Sequence, residues 1–106
     1  MVRDPEVLEG YVVDIACLRK WRRDEVPDKA AAHTRQCSLE GHCLESGYAL
    51  VDDNGRIALL EPSATLKVAE AVRQSARHEG IRLRVHRQEQ DGAQETVSVQ
   101  EISSSP

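Results

Sequence analysis

The chain has 106 residues, 40% of them hydrophobic and only 3% aromatic with no Phe, and its 14 basic and 18 acidic residues give a formal net charge of −4. That length and composition suit one domain with a modest core of Val, Leu, Ile and Ala, and they disfavour a globally basic nucleic-acid binder. The apolar runs fall far short of the ~20 residues of a membrane helix. The opening Met1-Val2-Arg3-Asp4-Pro5 lacks the apolar stretch of a signal peptide, so the sequence as given reads as cytoplasmic, or as exported if a leader has been removed.

Residues 8–15 read as the first strand, because Tyr11, Val13 and Ile15 alternate onto one face and β-branched residues suit a pleated surface. Its end delivers Cys17. The charged text from Leu18 to Lys29 reads as an exposed excursion, and Asp28 is placed to cap a helix running to Gln36, with Gly41 interrupting anything longer. Tyr48 to Val51 and Arg56 to Leu60 flank Asp52-Asp53-Asn54-Gly55, whose Asn-Gly pair signals a hairpin. Pro62-Ser63 ends the second arm. Ser63 then caps a helix to about Arg77, with Leu66, Ala69, Val72 and Ala76 on one stripe and Gly80 closing it. Ile81, Leu83 and Val85 alternate with Arg82, Arg84 and His86 in a half-buried strand with a basic outer face. Asp91-Gly92 turns the chain into a last strand through Val97 and Val99, with a bulge expected near Gln100.

The expected fold is therefore α+β, mainly β: a five-stranded OB-like barrel with an insert after strand 1 and a helix between strands 3 and 4. A small α+β sandwich has the same element order. The domain spans 8–102, its insert 17–46, and 1–7 and 103–106 are expected to be flexible.

The insert holds all three cysteines and two of the four histidines. On one helix, His33 and Cys37 would share a face four residues apart. Cys43 follows a turn at Gly41, and Cys17 returns from strand 1. Cys17, His33, Cys37 and Cys43 would then form one set of three thiols and an imidazole, which selects zinc or copper(I) over magnesium or calcium. The ligand spacings of 16, 4 and 6 match no standard zinc finger. His42 adjoins Cys43 and is either an alternative ligand or a bystander. His78 and His86 fall on polar faces and receive no role.

Three segments, Gly10-Tyr-Val-Val-Asp-Ile-Ala-Cys17, His33-Thr-Arg-Gln-Cys37 and Cys43-Leu-Glu-Ser46-Gly47-Tyr48, together resemble a widespread group of small, mostly uncharacterised bacterial domains. Their pattern is G-x-V-x-D-x-x-C, H-x(2 or 3)-C and C-x-x-S/G-G, followed by a hairpin. The resemblance runs over roughly residues 8 to 102 and is strongest from 10 to 50. It implies an OB-like barrel whose Cys/His insert is a candidate metal or redox site, and it implies no particular activity.

Two other readings compete with a non-enzymatic metal-binding domain. Cys37 and Cys43 could form a disulfide that staples the insert or cycles as a thiol redox pair, which an oxidising compartment would favour. Alternatively, Trp21 within Arg19-Lys20-Trp21-Arg22-Arg23 could serve an OB-type binding module for a protein or single-stranded nucleic acid. Asp24, Glu25 and Asp28 cancel most of that charge. A Cys-His nucleophile pair would need an orienting third group, and no oxyanion loop or phosphate cradle accompanies it.

Overall fold

Alternation in the first strand places side chains on both of its faces, and the fold covers both. In the computed structural model, which describes residues 5–102, strand β1 is Glu6–Asp14, the others being β2 (Tyr48–Val51), β3 (Ile57–Leu59), β4 (Arg82–Gln90) and β5 (Ala93–Ile102). They form one antiparallel sheet in the order β3-β2-β1-β4-β5. Val12, Tyr48, Leu50, Leu83 and Val85 face the helix Thr65–Gln74, which contributes Val68, Ala69 and Val72. Tyr11, Val13, Ala49 and Val51 point the other way, onto Val26 and Ala30 of a short helix, Val26–Ala31. Two-sided cover explains why all four residues of β2 are buried.

The architecture is α+β, with the element order strand, helical insert, hairpin, helix, hairpin. The expected closed barrel does not form, because β3 and β5 are the two edges of an open sheet. β3 is three residues long and leads through a 3-10 turn at Pro62–Ala64 into the long helix. The carboxylate of Glu61, just before that turn, accepts the backbone N–H of Thr96 in β5 and lies 3.5 Å from Arg87. A side chain thus caps the edge that a closing strand would have paired.

Several element boundaries move. β1 starts at Glu6, while the rest of the proposed flexible ends, 1–4 and 103–106, lies outside the described residues. The long helix stops at Gln74, where Ser75 turns extended and donates its hydroxyl to Glu101, so Arg77 lies beyond it. Leu66 is 78% exposed while Val68 is fully buried, which rotates the apolar stripe from the one expected. The β4–β5 register shifts between His86 and Arg87, skipping Val97 rather than a residue near Gln100. On the basic face of β4, Arg84 meets Glu9 and Arg82 lies 3.7 Å from Asp53, while Arg87, on the opposite face, meets Glu6. Among the described residues, no helix is long and apolar enough to cross a membrane.

Gly10 explains the first position of the G-x-V-x-D-x-x-C text. A Cβ there would sit 2.5 Å from the carbonyl oxygen of Val51, so β1 and β2 approach too closely for any side chain. Gly10→Val is expected to destabilise the fold by about 1–3 kcal/mol in urea denaturation, the usual cost of overpacking. A change below about 0.5 kcal/mol, the range of ordinary surface substitutions, would show that β2 can yield.

Candidate metal centre

Asp14, the last residue of β1, is completely buried. Its backbone is extended, and its Oδ2 accepts the Cys17 N–H at 2.8 Å, capping a single helical turn, α1 (Ile15–Leu18). The cap fixes where Cys17 leaves the sheet. Ser46 secures the same turn from the far end of the insert by accepting the Ala16 N–H at 3.0 Å and donating to the Cys43 carbonyl at 2.6 Å.

His33 and Cys37 are not on one helix, contrary to the expected run from Asp28 to Gln36. The first segment, α2 (Val26–Ala31), ends before His33, and a new turn, α3 (Arg35–Ser38), begins after Thr34. Thr34 adopts extended backbone, bridges to Glu79, and accepts the Cys37 N–H on its hydroxyl at 3.1 Å. A capping Thr with that geometry restarts a helix rather than continuing one. Gly80 secures the break by donating its N–H to the His33 carbonyl at 3.1 Å, in a position where a Cβ would lie 2.7 Å from the Ala31 carbonyl oxygen. At the other end of α3, the buried Tyr48 hydroxyl donates to the Ser38 carbonyl at 2.6 Å. Gly41 does not interrupt a helix but opens one, α4 (Gly41–Ser46), which carries Cys43.

These tethers bring four donors together. The ligand atoms of Asp14, Cys17, His33 and Cys37 all lie within 4.8 Å of one another. The Cys17 and Cys37 sulfurs are 3.5 Å apart, and His33 Nε2 is 2.7 Å from Asp14 Oδ1. Cys43 stands outside that mutual group, although its buried thiol interacts with both Asp14 and Cys37. The arrangement thus unites three of the four residues expected from sequence and adds Asp14. All three cysteines are free thiols.

The electrostatics follow from crowding acidic donors in a half-dry pocket. Burial alone would raise the Asp14 carboxyl, but hydrogen bonds with His33 and from the Cys17 N–H outweigh it and hold the group at about 2. Asp14 is therefore a carboxylate that only accepts, so His33 carries its proton on Nε2. Burial, the hydrogen bond with Cys37 and the Asp14 charge push Cys17 up to about 12. Burial and Asp14 push Cys43 up to about 11, and burial raises Cys37. Without a cation the thiols stay protonated at neutral pH, a state that is a poor nucleophile.

The remaining singled-out residues are placed as follows. Trp21 is half-buried, its ring edge-to-face with His33 at 5.5 Å between centroids. In the adjoining basic run, Arg22 pairs with Asp24 at 2.9 Å. His42 is exposed, with Nε2 3.5 Å from the Cys43 sulfur. No protein-family model, curated protein or solved structure matches the chain. Residue type and spacing do not single out Asp14 as a site residue; the one signal that marks it is its place as the fifth residue of G-x-V-x-D-x-x-C.

The Asp14 shift sets a pH dependence. Its folded value lies below the ordinary 3.8, so its contribution is present in full above about pH 5 and is lost as pH falls through about 2. In EDTA-treated protein, Asp14→Asn should remove about 2 kcal/mol of acid-dependent stability between those limits, read as a flatter urea-midpoint profile. Parallel profiles for the variant and the parent would rule this out.

Proposed function

We propose that the protein is a non-enzymatic metal-binding domain that holds one zinc or copper(I) ion at Cys17, His33 and Cys37, with Asp14 as fourth donor. The observation that carries the reading is the mutual placement of four ligand atoms within 4.8 Å on a sheet end, a turn and two short helices. Tetrahedral zinc with bonds of about 2.3 Å to sulfur would set two thiolates roughly 3.8 Å apart, close to the 3.5 Å between Cys17 and Cys37. A two-coordinate copper(I) ion would place its two sulfurs on opposite sides, a wider separation, so the spacing favours zinc.

One observation favours a variant of the ligand set. A histidine that binds metal through one nitrogen commonly donates the other N–H to a carboxylate, and His33 Nε2 is 2.7 Å from Asp14. In that arrangement Asp14 orients His33, while Cys43, whose thiol interacts with Asp14 and Cys37, completes the set. Cobalt(II) substitution separates the two. With one equivalent of cobalt loaded, two thiolates give the weaker sulfur-to-cobalt charge-transfer band and three the stronger, and Cys43→Ser lowers the band of that first equivalent only in the second case.

Purified protein should carry about one equivalent of metal by elemental analysis, and Cys37→Ser should abolish it. Adding zinc to the EDTA-stripped protein should change the fluorescence of Trp21, the single tryptophan, because its ring touches His33. Metal-free protein with an unchanged fold and no zinc-dependent fluorescence would overturn the reading. The competing Cys37–Cys43 disulfide leaves one titratable thiol in denatured, unreduced protein, whereas the metal reading requires three.

A further inference from the structure

Beside the buried donors, a second group of ligand atoms lies at the surface. Glu40, His42 and Cys43 place a carboxylate oxygen, an imidazole nitrogen and a sulfur within 4.8 Å of one another. Glu40 and His42 are exposed, whereas Cys43 is 1% exposed and directs its sulfur to His42 Nε2 at 3.5 Å. Glu40 precedes α4, yet its carboxylate makes no capping hydrogen bond to that helix. The same Cys43 thiol interacts with Asp14 and Cys37, which links the two donor groups.

We propose that Glu40, His42 and Cys43 form a second, open metal site for the same class of borderline ion, contiguous with the buried centre through Cys43. Three protein donors leave a coordination position for water, and two of the donors stand in solvent, so the ion there exchanges readily. One carboxylate and one thiolate balance a divalent charge. On binding, the Cys43 thiol gives its proton to the buffer and the ion gives up water molecules in exchange for the three donors. The inference rests on the previous reading in the choice of ion and in the ligand set of four donors that leaves Cys43 free for the surface group.

The test is equilibrium titration of EDTA-stripped protein with zinc, repeated with cobalt(II) to read thiolate charge transfer. The parent chain should bind a tight equivalent and a second, weaker one. His42→Ala, a substitution at an exposed position, should retain the tight equivalent and weaken the second by about tenfold or more, the scale of effect seen when a metal site loses a supporting group. Glu40→Gln should weaken the second alone. Saturation of the parent at one equivalent, or a second equivalent unchanged in His42→Ala, would overturn the proposal. Loss of the tight equivalent from the parent, with a weak His42-dependent one remaining, would instead overturn the buried centre and leave the surface site standing.

Discussion

The structure of the insert depends on one buried carboxylate. Asp14 has no solvent exposure, and a charge in that position is tolerated only if its hydrogen-bonding capacity is filled. One oxygen accepts the Cys17 N–H and the other meets His33. The first bond starts the turn that carries Cys17 off the sheet. The second holds the junction between α2 and α3, and so determines where Cys37 falls. A residue at the end of one strand thereby ties Cys17 and His33, 16 positions apart, to the same point.

Around that carboxylate the insert is assembled by tethers rather than by a core of its own. Its four α-helical segments are four to six residues long, too short to be stable alone. They are held by Ser46 across α1 and α4, by Tyr48 under α3, and by Gly80 behind His33. Three thiols crowded against a carboxylate keep their protons, because ionising any of them would add negative charge to a poorly solvated pocket. A cation reverses that balance. Binding would therefore bring both neutralisation and a cross-link between these short segments.

The two donor groups differ in exposure, and the difference follows from the chain path. Asp14 and His33 arise where the sheet and the helix break are covered, whereas Glu40 and His42 lie on the solvent side of the start of α4. Cys43 points inward from that same turn. A centre closed on its inner side and open on its outer side suits retention of one ion beside exchange of another.

Much of this was legible in the linear text. Strand alternation in β1 and β4, the Asn-Gly hairpin, the Asp91-Gly92 turn and the concentration of Cys and His in one insert are local properties, set by side-chain period and turn chemistry. Those patterns determined an α+β chain of five antiparallel strands and a site rich in soft ligands. They did not reveal that the sheet stays open, because the Glu61 carboxylate that caps the β5 edge acts across 35 residues. Nor did they reveal that His33 and Cys37 meet across a helix break, since Thr34 restarts the helix with Glu79 and Gly80 packed against it. The role of Asp14 was hidden for the same reason: a carboxylate becomes part of a site only when burial removes its water, and burial is decided by the tertiary fold.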